Sequence, residues 1–122
     1  MPISLTYDRE ENVVYTTATG TIAFSDIAGY FSSVQALNPR PGYRVLADYS
    51  QASFNLSYDE IDRMARERKT VLGGGGNVRI AVHCQDDLVY GLGRTYRALL
   101  DDEQYSVMIF RTRKAATDWL GL

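Results

Sequence analysis

Three residues with polar or aromatic side chains, Asp48, Tyr49 and Ser50, follow directly after the apolar run 45–47. Such a run is typical of a buried strand, and open α/β sheets bind ligands where their strands end. Groups of a similar kind follow two further predicted strands: Cys84, Asp86, Asp87 and Arg111. We therefore expect these groups to converge on one crevice. The alternative is that the carboxylates cap a loop and a helix and that the cysteine is a small buried apolar residue.

A second group of candidate residues lies on the predicted helix 88–101. Arg94 is either an anion-binding side chain or an exposed arginine paired with a nearby acid, and Tyr90 lines a pocket, forms an interface or fills the core. Together with the three residues after the apolar run, they define a ligand or partner crevice between this helix and the sheet. Gly91 and Gly93 lack the third glycine of a dinucleotide fingerprint. Either close packing or a kink must offset their poor helix propensity.

Ser57 is the candidate site of a modification. With Glu60 it forms the S-x-x-E pattern of a capping box, which predicts a helix start at this point. A phosphate on Ser57 would meet the exposed amides of that helix terminus, so Ser57 is a candidate phosphoacceptor. The capping box alone accounts for a serine at this position. Ser50 is a second candidate phosphoacceptor.

His83 is the only histidine in the chain. A metal site normally needs several histidine, cysteine or carboxylate ligands, and one histidine beside Cys84 does not supply them. Adjacent strand residues point to opposite faces of a sheet, so the two side chains do not form a catalytic pair. We therefore predict no catalytic residues, no metal and no cofactor, and interpret His83 as a structural histidine.

The elements that position these residues follow the order ββαβαβαβα. Apolar and β-branched patterns predict strands at 3–7, 12–18, 43–49, 77–84 and 105–110. The short polar turn 8–11 favours an antiparallel hairpin, whereas strands joined through helices are normally parallel neighbours. The predicted fold is therefore α/β, bordering on α+β, with a five-stranded mixed sheet and packed helices.

Helix limits are marked by capping residues and breakers. The predicted N-caps are Ser25, Ser57, Asp86 or Asp87, and Thr112. The run Gly73–Gly76 follows a helix and precedes a strand, so it indicates a helix end and a tether and not a phosphate loop. The inner face of the third helix is predicted to carry Leu88, Leu92, Tyr96 and Leu99. The charged positions of the second helix are interpreted as a solvated face: Arg63, Arg66, Glu67, Arg68 and Lys69.

Composition bounds the class of protein. A length of 122 residues and 45% hydrophobic content predict one globular domain, 1–122. The net charge of −2 argues against broad nucleic-acid binding. The apolar runs are too short to span a membrane, and the start of the chain lacks the pattern of a secretory signal. A single cysteine fits a reducing cytoplasm, so we expect a cytoplasmic protein.

Four stretches make the chain resemble the small bacterial SpoIIAA-like proteins that are grouped with STAS and SEC14 domains: 45–50 (VLADYS), 78–82 (VRIAV), 90–96 (YGLGRTY) and 115–120 (AATDWL). They occur in the order and at the spacing of that fold. The resemblance implies a STAS-like domain and two different roles.

STAS domains that antagonise anti-sigma factors are phosphorylated on a serine at the start of the helix after the third strand. Ser57 matches that place, but Leu56, Tyr58 and Asp59 replace the acidic residue, second serine and glycine of the family pattern. SEC14-type relatives carry lipids between helices and sheet, in domains much longer than this chain. The resemblance thus implies a non-catalytic regulatory or protein-interaction module, or alternatively a domain that binds a lipid or another small apolar or anionic ligand. Homodimerisation through an edge strand or a tyrosine-rich helix is a further expectation.

Overall fold

The computed structural model describes residues 2–73, 76–102 and 104–122. In these residues a five-stranded sheet carries four helices, in the predicted order: β1 (Ile3–Asp8), β2 (Val13–Ile22), α1 (Phe24–Leu37), β3 (Arg44–Phe54), α2 (Tyr58–Leu72), β4 (Val78–His83), α3 (Asp87–Leu100), β5 (Tyr105–Phe110) and α4 (Arg113–Leu120).

The sheet has the strand order β1-β2-β3-β4-β5, which follows the chain. β1 and β2 are antiparallel, and each later strand is parallel to the one before it. The predicted hairpin followed by a parallel region is therefore confirmed. β3 is the central strand, so β2 flanks it on one side and β4 on the other.

The helices divide between the two faces of the sheet. The crossover connections between the parallel strands have the same handedness, and each adds its strand on the same side of the previous one. The helices α1, α2 and α3 therefore lie on the same face of the sheet, where they pack side by side. α4 comes after the last strand and packs on the opposite face, against β3, β4 and β5. Side chains alternate along β3, so Val45 and Ala47 face α1–α3 while Leu46 packs with Ala116 and Leu120 of α4.

Three of the predicted helix starts are confirmed. The Ser57 hydroxyl accepts from the Glu60 amide at 3.2 Å, and the Glu60 carboxylate accepts from the Ser57 amide at 3.0 Å. Asp86 caps α3 and Thr112 caps α4 through their side chains. Gly73 ends α2 with φ +67°, as predicted, whereas Gly74 and Gly75 lie outside the described residues.

The predicted cap of α1 was wrong. The N-cap is Ala23 and the helix begins at Phe24, so Ser25 lies inside the first turn. The Asp26 carboxylate accepts from the Ala23 amide at 2.9 Å. The side chain of Asp26, at the third helical position, therefore accepts a hydrogen bond at the helix start that Ser25 was expected to cap.

The inner face of α3 also differs from the prediction. Leu88 is 65% exposed, and Val89 and Leu100 are buried in its place, whereas Tyr96 is buried as predicted. Because Asp86 caps the helix, Leu88 falls in the first turn on the side away from the sheet. Leu92 keeps its predicted place and is half-buried.

β2 and β3 are longer than predicted and pair with each other as far as Ile22 and Phe54. Gly20, which lies beyond the predicted end of β2 at residue 18, falls within that strand at φ +75°. Asp48, Tyr49 and Ser50 therefore lie inside β3 and not at its end. The pairing of β3 with β4 does stop at Asp48 and His83, so β3 extends beyond its neighbour.

Candidate functional site

A cavity of about 50 Å³ lies between the sheet and α1–α3. Its wall consists of apolar and aromatic side chains from β3, β4 and the three helices. Phe54, Leu56, Met64 and Leu92 are half-buried, so the cavity reaches the surface beside them. An apolar lining with a few placed polar groups is typical of small-ligand sites, but these usually measure roughly 300–1,000 Å³. This cavity therefore admits only a small ligand, or one end of a ligand that extends to the surface.

Arg68 of α2 is the charged side chain in this wall, and it is only 3% exposed. Among the described residues its Nε and Nη2 atoms have no hydrogen-bond partner, and no carboxylate lies within ion-pair distance of it. Arginine is charged at any pH at which proteins fold. The structure therefore holds a buried positive charge in the wall of an apolar cavity, with two buried donors that lack partners among the described residues.

Aromatic side chains surround the Arg68 guanidinium. Its Cζ atom lies 5.4 Å from the ring centroid of Phe31 and 5.9 Å from that of Tyr105. Burial raises the pKa of Tyr96 and of Tyr30, and the positive charge of Arg68 together with polar contacts between its guanidinium and both hydroxyls opposes the increases. Burial lowers the pKa of Arg68 itself, but the neighbouring tyrosines, Tyr96 first, outweigh that effect and raise it. Arg68 thus stays charged although it is buried.

The aromatic contacts do not compensate fully for the burial of Arg68. Burial of an ion in a protein costs several kcal/mol even after relaxation. Each cation–π contact returns about 0.5–2 kcal/mol, and both contacts here lie near the long end of the useful range of about 6 Å. A ring face also leaves the in-plane N–H groups without acceptors. An anion in the cavity would supply both the countercharge and the acceptors.

A polar cluster occupies the opposite face of the sheet, at the start of α4. Asp48 Oδ1 accepts from the Ser50 hydroxyl at 2.6 Å and from the Ser50 amide at 3.0 Å. His83 Nδ1 lies 3.4 Å from the same oxygen without hydrogen-bond geometry, and Arg113 Nη1 lies 3.7 Å from Asp48 Oδ2. Burial raises the pKa of Asp48, but the bonds from Ser50 and the charges of His83 and Arg113 outweigh it and lower the pKa below its usual range.

A local irregularity brings Ser50 back to Asp48. β3 contributes one extra residue between the pairs Asp48–Thr17 and Gln51–Thr19, which is a β-bulge. The bulge allows the Ser50 amide to donate to a side chain. Asp48 therefore stands between Ser50 and His83, whereas a serine nucleophile needs the histidine next to the hydroxyl. This order of contacts is that of a structural network.

The structure does not bring the five predicted crevice residues together. Asp48 and Ser50 belong to the polar cluster, and Tyr49 lines the cavity on the other face because adjacent strand residues alternate. Tyr90 lies under the Arg111 guanidinium, 4.2 Å from ring centroid to Cζ. Arg94 is exposed in a shallow groove on the outer side of α3. It has no acidic partner within ion-pair distance in the described part of the chain.

The sequence prediction missed Arg68, which it assigned to a solvated face. The signal was present in the helical spacing, because Arg68 follows Met64 by four residues and Ile61 by seven. It therefore lies on the apolar stripe of α2. Arg63 and Arg66 behave as expected and form exposed ion pairs with Glu67 and Asp62, both at 3.1 Å.

Comparison with known proteins identifies the fold. No model of a protein family matches the chain, and no curated protein matches it. An uncharacterized protein of the DUF3478 family from Shewanella loihica PV-4, described as having a SpoIIAA-like fold, superimposes with a TM-score of 0.67. The match covers 97% of this chain and 93% of that one at 17% identity. The fold is SpoIIAA-like. The predicted fold class is thereby confirmed, and the comparison carries no information on function.

In this SpoIIAA-like fold Ser57 stands at the start of the helix after the third strand, as the resemblance implied. Its hydroxyl and amide are both engaged with Glu60. Asp59 and Glu60 place two further carboxylates in the first turn of α2. A phosphate on Ser57 would break the capping box and add negative charge beside these acids.

Two structural features are absent from the described residues. No helix among them combines the length and apolar character that crossing a membrane requires. No group of three or more histidine, cysteine, aspartate and glutamate side chains in the same part of the chain is arranged to hold a metal ion. Cys84 is buried, and burial raises the pKa of its thiol.

Proposed function

We propose that the chain is a non-catalytic binding module that holds a small, largely apolar ligand in the cavity between the sheet and α1–α3. One observation carries the proposal: an apolar cavity that reaches the surface and has a single charged side chain, Arg68, in the described part of its wall. A core that served only stability would gain from filling this space and from removing the charge. The two features together favour a ligand that completes the site.

The non-catalytic part of the proposal is supported by the geometry of the polar cluster. The carboxylate of Asp48 separates Ser50 from His83, so the histidine cannot take the proton of that hydroxyl. We place the role in the cytoplasm, a proposal supported by the single free cysteine, Cys84.

The test is a methyl-resolved NMR titration of the chain with 1-hexanol, after native and denaturing mass measurements show that the sample carries no ligand. Saturable shifts at Ile61, Met64 and Leu92 are expected, because these side chains line the cavity. Ala47→Val adds two methyl groups to the wall and should weaken binding, whereas Ala98→Val on the exposed side of α3 should not. Shifts confined to other surfaces, or equal binding by both variants, would exclude the cavity as the site.

A regulatory or protein-interaction role is the second proposal, and it rests on the exposed Ser57 at the start of α2. Its test compares the thermal melting of protein carrying phosphoserine at position 57 with that of unmodified protein. A phosphate held by the helix terminus would raise the melting temperature. A lower melting temperature would mean that repulsion by Asp59 and Glu60 dominates, and it would argue against a switch at this serine.

A further inference from the structure

The Arg68 side chain lies in the wall of the cavity and carries the positive charge there. The nitrogen atoms without partners among the described residues, Nε and Nη2, lie on the same edge of the planar group. Their N–H bonds are parallel, and this edge presents two donors side by side. A carboxylate offers two acceptor oxygens at a matching spacing and in one plane, which is why arginine binds carboxylates in a bidentate manner.

The charge of the cavity wall limits the charge of the ligand. Arg68 is the only ionised side chain among the described residues that line the cavity. A single negative charge would be neutralised there, whereas a second one would remain buried without a countercharge. This balance favours a carboxylate over a phosphate dianion.

One neutral donor in the interior, the Tyr43 hydroxyl, is also without a partner among the described residues, and Tyr43 is not among the residues that line the cavity. Tyr43 is one of the tyrosines that raise the pKa of Arg68. The Tyr30 hydroxyl, by contrast, is already within 2.8 Å of Thr16 Oγ1. The surroundings of Arg68 therefore contain one unused neutral donor and no competing carboxylate in the described part of the chain.

The direction of the cavity sets the orientation of the ligand. Ile61 and Arg68 are seven residues apart on α2, which corresponds to roughly 10 Å along the helix at 1.5 Å per residue. The half-buried Phe54, Leu56 and Leu92 mark the end that reaches the surface. A ligand whose charged group meets Arg68 would extend its apolar part along Ile61 and Met64 toward that opening.

We propose that the ligand of this cavity is a short apolar monocarboxylate, held side-on by Nε and Nη2 of Arg68 with its tail toward Phe54 and Leu56. The inference rests on the proposed function, because it names the chemical class of the ligand for the same cavity. It assigns to Arg68 the role of the anion-binding residue.

The test uses three probes of equal chain length: hexanoate, 1-hexanol and hexyl phosphate. Calorimetry or NMR should show that the chain binds hexanoate about tenfold or more tightly than 1-hexanol, since a charged hydrogen-bonded pair is then formed. Arg68→Met should remove this preference and leave hexanol binding intact. Arg68→Lys keeps the charge without the two parallel donors and should give an intermediate preference. Arg66→Met, on the exposed side of the same helix, should change neither affinity.

The outcomes separate this inference from the proposed function. Equal affinity for hexanoate and 1-hexanol would overturn the carboxylate assignment and leave the binding module in place. Tighter binding of hexyl phosphate than of hexanoate would overturn it as well. Binding of none of the three probes would overturn both proposals. The comparison of probes on the unmodified chain does not depend on whether the Arg68 variants fold.

Discussion

Replacement of Arg68 by methionine should stabilise the ligand-free protein, whereas most substitutions in a protein interior are destabilising. Methionine is unbranched, flexible and apolar, so it suits a wall that is otherwise apolar. The change removes a charge that is 3% exposed and lacks an ionic partner among the described residues. It also removes the contacts of the guanidinium with the rings of Phe31 and Tyr105.

The magnitude follows from these opposing effects. Exchange of buried charges for well-packed apolar groups ranges from neutral to a gain of about 1–4 kcal/mol. Loss of the two long cation–π contacts lowers the stability by about 0.5–1 kcal/mol each. The middle of these ranges gives a net increase of about 1 kcal/mol in the free energy of unfolding. For a chain of 122 residues, 1 kcal/mol corresponds to about 4 °C in melting temperature, so the expected shift is about 4 °C.

The assay is urea unfolding followed by circular dichroism, on protein shown by mass spectrometry to carry no ligand. Arg66→Met is the matched control, because it loses only an exposed ion pair with Asp62 and should cost less than about 0.5 kcal/mol. A loss of 1 kcal/mol or more in Arg68→Met, with the control unchanged, would refute the reasoning. It would show that the aromatic contacts more than compensate for the burial of Arg68 and that this arginine is structural.

Three further predictions concern the helices and the polar cluster. Gly91→Ala should raise the free energy of unfolding by about 1 kcal/mol, since an added Cβ meets nothing within 4 Å. The free energy of unfolding of Gly93→Ala should be at least about 1 kcal/mol lower than that of Gly91→Ala, because the added Cβ at position 93 would lie 3.0 Å from Ile109 Cδ1. Asp48→Asn should cost about 1 kcal/mol at pH 7. The lowered pKa of Asp48 stabilises the fold above its ordinary value of 3.8, and that contribution is lost as the pH falls through the folded-state pKa. Ser57→Ala should cost about 1 kcal/mol, whereas Ser57→Asp should be close to neutral because aspartate is also a good N-cap.

Chemical unfolding of each variant checks these predictions, with a pH series from 2 to 7 for Asp48→Asn. Equal effects of the two glycine changes would mean that Ile109 yields without strain. A difference between Asp48→Asn and the unmodified protein that persists unchanged at the lowest pH would show that the stabilisation does not come from the charge. A destabilising Ser57→Asp would mean that Asp59 and Glu60 already saturate the helix terminus.

The fold was predictable because its signals are local. The capping box at Ser57 and the cap at Asp86 mark two helix starts, and each of these helices lies between strands that become parallel neighbours. The extension of β3 to Phe54 was not predictable in this way. The segment 50–53 is polar or small, and it is a strand because the far half of β2 pairs with it. That pairing is a tertiary contact.

The arrangement of the crevice residues was predictable only in part. Alternation along β3 separates Tyr49 from Asp48, and the same rule was applied to His83 and Cys84. The contact between Asp48 and His83 needs the register of β3 with β4, which no local pattern specifies. The polar cluster therefore depends on sheet register and on the placement of α4.

Arg68 shows most clearly what residue type alone cannot predict. Its neighbours Arg66 and Lys69 are exposed, and nothing in their residue types distinguishes them from Arg68. The difference arises because α2 is the middle helix of three and packs against α1 on one side and α3 on the other. A helix covered on both sides buries a wider arc than the narrow stripe of a surface helix. Arg68 falls within that arc, and a charge that would be solvated on an outer helix is buried in the wall of a cavity.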